Sequence, residues 1–296
     1  MLKNFDELVN KTKVINEKTI GVVFAHDEVV IDALKNASKY VKLNFILIGD
    51  ETQIKKMVEQ YKLSNFTIIH ELDETKASDL AVQFARNGQI DLIMKGLIDT
   101  KHVLKSVVNS EKGIKESSVL SHVGIVQFKD REKVMFVTDG AMNITPDVNQ
   151  KIEIINNAVW LAKKLGYSKP KVGLVSAVEK VNPKIKSTVD AQEILNKLDG
   201  QNLNYLIAGP MAIDNLVSKE SAKHKGINNP VAGDADILIF DNLDGGNIFY
   251  KTCVFLAHAN SAGLIVGAKV PIVLTSRADS AKSKLYSILL GLVANA

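Results

Sequence analysis

The sequence contains very little cysteine: Cys253 is the single one among 296 residues. One cysteine can form neither an internal disulfide nor a cysteine-based zinc site, and it is typical of a reducing compartment. Hydrophobic runs of membrane-spanning length are also missing, because Lys269 and Pro271 interrupt the most apolar tract, and the N-terminus has no apolar signal region. These absences predict a soluble protein of the cytoplasm.

Arginine is scarce as well, since Arg86, Arg131 and Arg277 are the only three. The net charge of +4 is mild, and the lysines are scattered rather than clustered. Nucleic-acid binding therefore has no special support, whereas an anionic small molecule would suit the charge. The length allows one large or two medium domains with a sizeable core.

Several sequence motifs with known chemistry do not occur. The chain has no G-x-G-x-x-G after its first predicted strand, no G-x-x-x-x-G-K-[ST], no G-x-S-x-G and no H-E-x-x-H. A typical Rossmann dehydrogenase, a nucleotide-dependent kinase, a serine-elbow hydrolase and a zincin all lose support. The six histidines show no metal-ligand spacing, so we expect no metal site.

Short apolar runs alternate with amphipathic stretches in the first third of the chain. Predicted strands 19–25, 44–49, 66–71 and 91–94 each precede a predicted helix, at 28–41, 50–61, 77–86 and 101–108. Asp27 and Asp50 are placed to cap the first two helices. This alternation predicts an α/β fold with a mostly parallel sheet covered by helices on both faces.

The alternation changes between residues 117 and 139. Two β-like runs, 119–128 and 133–138, are joined by a charged turn, which predicts an antiparallel hairpin. After a long predicted helix at 147–165 the alternation resumes. The further predicted strands are 171–175, 205–208, 236–240, 264–266 and 272–274, and the further predicted helices are 184–198, 212–221, 245–260 and 280–293.

Arg277 stands between the last predicted strand and the last predicted helix. The planar guanidinium can bind two oxygens at once, and a helix N-terminus offers N–H groups, so the position suits a phosphate. A solvated arginine in an ordinary turn is the alternative, and the position alone leaves both open.

Three further features are candidates for function. Gly245-Gly246-Asn247 is predicted to open a helix and to place free N–H groups there, although an ordinary turn is the alternative. His122 lies in a predicted strand and could reach a cleft, but its position favours a structural histidine, because the sequence identifies no partner for it. Cys253 lies among apolar residues, which favours a buried structural thiol.

Three motifs in this order resemble the phosphate acetyl/butyryltransferase family. They are Lys95 to Thr100, then Asp139-Gly140-Ala141-Met142-Asn143 with Pro146, and then a long region over 231–280. That region includes 232–240, 245–251, Pro271 and the pair Ser276-Arg277. The chain is shorter than typical acetyl-specific members and resembles the butyryl branch more closely.

The resemblance implies a particular architecture. We expect two three-layer α/β domains of the isocitrate/isopropylmalate dehydrogenase-like kind, with an active site in the interdomain cleft. The first domain would be discontinuous, 1–140 plus 271–296, and the second would be 141–270. A homo-oligomer is implied as well.

The resemblance also implies a reaction: butyryl-CoA and phosphate give butyryl phosphate and CoA, reversibly, by direct attack of phosphate in a ternary complex. CoA and acyl-CoA are then substrates, and neither a cofactor nor a metal is expected. Arg277 would hold phosphate, Ser276 would donate a hydrogen bond to the thioester carbonyl, and Asp279 would be the base toward the CoA thiol. Acetyl-transferring relatives carry an aspartate six residues after the arginine, where this chain has Ser283. The expected substrate-binding residues are Lys95, Thr100, His122, Asp139, Asn143, Gly245, Gly246 and Asn247.

Four alternatives stay open. The enzyme could prefer acetyl-CoA, since a pocket discriminates by only about 1–3 kcal/mol per methylene. A metal- and nicotinamide-dependent decarboxylating dehydrogenase shares the expected fold, but the sequence shows no convincing acidic cluster. A non-catalytic binding protein for CoA or a phosphorylated ligand is compatible with the fold alone. A ping-pong reaction through Cys253 is the fourth.

Overall fold

The computed structural model describes residues 1–274 and 279–296, and within them the chain forms two compact units. The first unit, as we name it, comprises Phe5–Ser117 and Ala262–Ala296, and the second unit comprises Met1–Asn4 and Ser118–Ser261. The division into domains at residues 140 and 270 stays a prediction.

The secondary structure alternates through most of both units. The strands are β1 (Lys18–Val23), β2 (Leu43–Gly49), β3 (Phe66–His70), β4 (Leu92–Lys95), β5 (Ser121–Gln127), β6 (Met135–Thr138), β7 (Lys171–Val175), β8 (Leu206–Met211), β9 (Ile237–Ile239), β10 (Asn260–Val266) and β11 (Ile272–Val273). The helices are α1 (Phe5–Thr12), α2 (Glu28–Ala37), α3 (Glu51–Tyr61), α4 (Glu74–Arg86), α5 (Thr100–Val107), α6 (Val148–Lys164), α7 (Lys186–Leu198), α8 (Ile213–Val217), α9 (Lys219–His224), α10 (Leu243–Lys251) and α11 (Ala281–Ala294). A short π-helix, Thr252–Leu256, follows α10.

The first unit is built on a sheet in the order β3-β2-β1-β4-β11-β10. Its strands are parallel except for β10, which runs antiparallel to β11. The chain moves outward from β1 to β3 and then returns to place β4 on the other side of β1. Because parallel crossovers are right-handed, α2 and α3 cover one face and α4 covers the other. Helix α2 packs on α3 and α11, and α4 packs on α5.

The second unit is built on the strand order β5-β6-β9-β7-β8. Strands β5 and β6 form the predicted antiparallel hairpin, and the other neighbours are parallel. Every residue of β6 and β9 is buried. Their apolar side chains, including Val137 and Leu238, join a core with Leu216 of α8 and Cys253.

The predicted α/β class with mostly parallel strands is confirmed. The predicted caps are also present: the Asp27 carboxylate accepts the N–H groups of Val29 and Val30, and Asp50 accepts that of Gln53. These short side-chain bonds fix where each helix begins after its strand, and therefore which residues stand at the carboxyl edge of the sheet.

Three elements differ from the sequence prediction. Helix α1 was not predicted, because a segment of eight residues is too short to show a clear helical repeat of apolar positions. The helix predicted at 212–221 is divided at Ser218, whose extended backbone ends α8 and whose hydroxyl caps α9 by accepting the Ser221 N–H. The helix predicted at 245–260 begins earlier, at Leu243, and gives way to the π-helix and then to β10, which is longer than predicted.

Candidate active site

The turn that follows β6 is organised by the Asp139 carboxylate, which is buried. One carboxylate oxygen accepts the N–H groups of Ala141 at 2.8 Å and Met142 at 3.0 Å. The other accepts Nδ2 of Asn143 at 2.6 Å and the main-chain N–H of His122 at 3.3 Å. Four donors match the four lone-pair directions of a carboxylate. The contacts therefore give Asp139 a positioning role, and direct contact with a substrate stays a prediction.

Helix α10 packs directly on this turn. A Cβ atom at Gly246 would lie 2.3 Å from the carbonyl oxygen of Asp139, so the backbones approach more closely than a side chain permits. Nδ2 of Asn247 donates to the carbonyl oxygen of Gly140 at 2.7 Å. The two predicted motifs, Asp139–Asn143 and Gly245–Asn247, are thereby joined in one cluster, which we name the aspartate-turn cluster.

The free N–H groups predicted at Gly245-Gly246-Asn247 are corrected by the structure. Helix α10 begins two residues before Gly245 because Asn242 caps it. The side-chain oxygen of Asn242 accepts the Gly245 N–H at 2.9 Å, and its carbonyl oxygen accepts the Gly246 N–H at 3.3 Å. Gly246 therefore serves close backbone packing, and the N–H groups of Gly245 and Gly246 are not open donors.

His122 lies beside the aspartate-turn cluster on β5. Its ring meets the Tyr250 ring edge-on, with centroids 5.8 Å apart and an interplanar angle of 85°. The Thr138 hydroxyl donates to the His122 carbonyl oxygen at 2.7 Å. Gly124 leaves room for the tyrosine, because a Cβ there would lie 2.7 Å from Cε2 of Tyr250. Tyr250 thus fixes the position of the histidine ring.

In the first unit, Lys95 ends β4 at the carboxyl edge of the sheet. Its ammonium donates to the Gly96 carbonyl oxygen at 3.2 Å. The Gly96 N–H donates to the carbonyl oxygen of Val23 at 2.8 Å, and a Cβ at Gly96 would lie 2.1 Å from the Phe24 carbonyl oxygen. Thr100 follows as the first residue of α5, after its cap Asp99. The Lys95 motif is thus held against the end of β1.

The strand that leads to Arg277 leaves the sheet at this same edge. Strand β11 is parallel to β4, and Val273 pairs with Met94, the residue before Lys95. The predicted catalytic residues Ser276 and Arg277 lie outside the described residues. The chain is described again from Asp279, and α11 begins after Ser280, whose hydroxyl accepts the Ser283 N–H at 3.1 Å.

Asp279 is held by a lysine that the sequence analysis did not identify. The ammonium of Lys284 donates to the Asp279 carbonyl oxygen at 3.2 Å, and the residue is only 4% exposed. Burial lowers the pKa of Lys284, while the carboxylates of Asp279 and Asp27 oppose that shift. Because Lys282 precedes it in the same helix, nothing in the sequence distinguished Lys284.

The sequence matches known proteins over almost its whole length. Residues 59–292 match the family model described as phosphate acetyl/butaryl transferase. The phosphate butyryltransferase of Clostridium beijerinckii is 40% identical over 293 residues, 98% of this chain and 97% of the relative. The chain belongs to this family. The phosphate acetyltransferase of Thermotoga maritima is 39% identical, over 93% of this chain and 95% of the relative.

Solved structures support the family assignment and the fold. A branched-chain phosphotransacylase from Enterococcus faecalis superimposes with a TM-score of 0.84 at 34% identity, covering 94% of this chain and 99% of that one. A 4-hydroxythreonine-4-phosphate dehydrogenase from Klebsiella pneumoniae matches with a TM-score of 0.55 at 11% identity, over 94% of this chain and 100% of that one. At that identity the second likeness concerns the fold alone, and it agrees with the expected dehydrogenase-like architecture.

The structure therefore groups the family residues by unit. In the second unit, contacts join His122, Asp139, Asn143, Gly246 and Asn247. In the first unit, Lys95 and Thr100 lie at the edge from which β11 leads to Ser276 and Arg277. Tyr250 was missed, although its place three residues after Asn247 puts both on one helix face.

Cys253 is buried in the second unit, and burial raises the pKa of its thiol to about 11. A thiol with that pKa is almost entirely protonated near neutral pH, whereas a nucleophilic cysteine has to be a thiolate. We therefore expect Cys253→Ser to keep kcat for acyl transfer within about threefold of the unchanged protein. Trapping of an acyl-enzyme on Cys253, or loss of turnover in a folded serine variant, would restore the ping-pong alternative.

The described residues were searched for a metal site and for a membrane-spanning helix. Among residues 1–274 and 279–296, no three His, Cys, Asp or Glu side chains are grouped as a metal ion would require. No described helix is both long enough and apolar enough to cross a bilayer. That the reaction needs no metal and no cofactor stays a prediction.

Proposed function

We propose that the protein is a phosphate acyltransferase that converts butyryl-CoA and phosphate into butyryl phosphate and CoA, reversibly. The observation that carries the proposal is the alignment with a phosphate butyryltransferase. It covers almost the full length of both chains, with 40% identical residues. The aspartate-turn cluster supports it, because the family motifs around Asp139 and Gly246 meet in one packed arrangement.

The reaction requires a phosphate oxygen to attack the thioester carbonyl carbon. The new carbon–oxygen bond forms, the carbon–sulfur bond breaks, and the sulfur leaves as a thiolate that takes a proton. Both substrates are anionic, so a cation and hydrogen-bond donors are needed around the phosphate. We assign the cation to Arg277 and the donor to the thioester carbonyl to Ser276. The N-terminus of α11, capped by the neutral Ser280, adds a favourable dipole.

In the reverse direction the CoA thiol has to lose a proton. A thiol pKa of about 8.5 makes a nearby base useful. We assign this role to Asp279, which precedes the cap of α11. Ser283 replaces the aspartate of acetyl-transferring relatives, and its neutral hydroxyl is too weak a base to take the thiol proton; its main-chain N–H donates to the Ser280 hydroxyl. Lys284 supports the assignment, since it fixes the main chain of Asp279.

The remaining family residues are proposed to bind the substrates. They are Lys95 and Thr100 in the first unit, and His122, Asp139, Asn143, Gly245, Gly246 and Asn247 in the second. In the second unit we assign direct contact with substrate to His122, because its ring lies beside the Asp139 turn and is positioned by Tyr250. Asp139 and the glycines would act by shaping the backbone around it.

Acyl-chain preference is tested with purified protein and a series of straight-chain acyl-CoAs from acetyl to hexanoyl. We expect kcat/KM to be highest for butyryl-CoA and lower for acetyl-CoA, which lacks two methylenes, since a hydrophobic pocket discriminates by about 10- to 200-fold per methylene. A maximum at acetyl-CoA would favour the second candidate, a phosphate acetyltransferase, which the Thermotoga maritima relative supports at 39% identity.

The same samples separate the other classes. CoA binding without turnover of any acyl-CoA would favour a non-catalytic binding protein. A change in nicotinamide absorbance with a hydroxy acid, lost on chelation, would favour a dehydrogenase. We further propose a cytoplasmic homo-oligomer acting on small-molecule substrates without metal or cofactor. Analytical ultracentrifugation measures the number of subunits. We expect full activity in the presence of a chelator, which tests whether a metal ion is needed.

A further inference from the structure

The sheet of the first unit has a topological switch point between β1 and β4. From β1 the chain proceeds to β2 and β3 on one side, and it then returns to place β4 on the other side of β1. The connection after β1 leads to α2 on one face, while the one after β4 leads to α5 beside α4 on the opposite face. The two connections diverge and leave a crevice at the carboxyl ends, where α/β sheets bind ligands.

The backbone at this switch point is tightly held and strained. The N–H groups of Gly96 and Leu97 donate to the carbonyl oxygens of Val23 and Phe24 at 2.8 and 2.9 Å. Phe24 has φ of 55°, a left-handed conformation that is a true outlier for an aromatic residue. Such strain persists where the surrounding structure enforces it, and it concentrates at ligand sites. His26 lies two residues after the strained Phe24, in the connection from β1 to α2.

The imidazole of His26 is held with one edge inside the protein. Its Nδ1 atom is buried and has no hydrogen-bond partner among the described residues. A Cβ at Gly49 would lie 3.0 Å from Nδ1, so this edge faces the end of β2. The side chain as a whole is only half-buried, which places the opposite edge, with Nε2, on the exposed side.

The protonation state of the ring follows from this burial. Burial lowers the pKa of His26, and the carboxylates of Asp50 and Asp27 oppose the shift only in part. The neutral ring carries one proton, and a buried N–H without an acceptor is rarer in proteins than a buried acceptor without a donor. The proton therefore belongs on Nε2, on the exposed edge. Both carboxylates are engaged by the N-termini of their own helices, α2 and α3.

We infer that His26 is a substrate-binding residue whose Nε2–H donates to a phosphoryl oxygen held at the switch point, where β4 ends at Lys95. Inorganic phosphate and CoA both carry phosphoryl oxygens, so either can supply this group. The inference rests on the proposed function for its choice of ligand chemistry. It adds a residue outside the family motifs in the first strand-to-helix connection.

The test uses the full-length protein with two replacements at one position. The amide nitrogen of His26→Gln reaches the place of Nε2, whereas that of His26→Asn reaches the place of Nδ1. His224→Gln, at an exposed position of α9, is the matched control. Each protein is titrated separately with CoA and with inorganic phosphate by calorimetry, and thermal unfolding confirms that all four are folded.

We expect His26→Asn to weaken binding of one of the two probes by roughly tenfold or more, as for a lost hydrogen bond to a charged group. His26→Gln should stay within about threefold of the unchanged protein and of His224→Gln. The probe that is affected identifies the source of the phosphoryl group. Equal losses in the Asn and Gln variants, or no loss for either probe, would overturn the inference.

Imidazole ¹⁵N spectra give a reading that does not depend on turnover. We expect His26 to be neutral and protonated at Nε2, and its Nε2 signal to move when the affected probe saturates the protein. A ring protonated at Nδ1, or signals that ignore both probes, would contradict the assignment. If these spectra behave as expected while no acyl-CoA is turned over, the proposed function fails and the phosphoryl site stands.

Discussion

Replacing Arg277 with alanine should lower kcat/KM for phosphate by about 100- to 1,000-fold, because the loss of a charged donor at a reacting oxyanion has effects of this size. The expectation rests on the small number of arginines in the chain and on the position of Arg277. Only three arginines occur, and Arg277 follows a strand that is parallel to β4 and leaves the sheet beside Lys95. The measurement is the initial rate of CoA release at varied phosphate.

Two matched variants make this result specific. Arg86→Ala removes an exposed arginine from the end of α4 and should leave kinetics unchanged. Arg277→Lys keeps the charge but loses the planar guanidinium, because a lysine binds phosphate as a point charge. Its kcat/KM for phosphate should therefore lie between those of Arg277→Ala and the unchanged protein. An unchanged KM and kcat in Arg277→Ala would remove Arg277 from the mechanism.

Replacing Gly246 with alanine should destabilise the second unit and reduce activity together. The added Cβ would lie 2.3 Å from the main-chain carbonyl oxygen of Asp139. Because no flexible side chain is involved, the clash can be relieved only by moving α10 away from the Asp139 turn. Overpacking of this kind costs about 2–3 kcal/mol in the free energy of unfolding. We expect at least a roughly tenfold loss of kcat/KM in the folded variant, because small displacements of a site are costly.

Gly245→Ala is the matched control for stability. Its Cβ would meet nothing closer than 3.4 Å, and the residue is helical, so alanine should be neutral or should stabilise by up to about 1 kcal/mol. Urea unfolding of both variants provides the comparison. If Gly246→Ala were as stable as Gly245→Ala, the close approach of α10 to the Asp139 turn would not exist in solution.

The alternation of strands and helices could be predicted because it is local. Buried parallel strands are short apolar runs, and aspartates such as Asp27 and Asp50 mark where helices begin. The hairpin of β5 and β6 was evident for the same reason. The order of strands in the sheet, and the return of β11 to β4, depend on long-range pairing and came only from the resemblance and the structure.

The candidate site was predictable in its residue types but not in its contacts. The motif around Gly245 suggested open N–H groups, yet Asn242, three residues earlier, already uses the first of them. The role of Gly246 depends on a backbone more than a hundred positions away. Tyr250 and Lys284 resemble ordinary helix residues in the sequence, and only packing shows that one holds His122 and the other Asp279.

The most direct test of the account is the initial rate of CoA release over a matrix of butyryl-CoA and phosphate concentrations. We predict no release without phosphate, formation of one butyryl phosphate for each CoA, and double-reciprocal lines that intersect, as a ternary complex requires. Release of CoA without phosphate would indicate a thioesterase, and parallel lines would indicate a covalent acyl-enzyme. Either result would contradict direct attack of phosphate on the thioester.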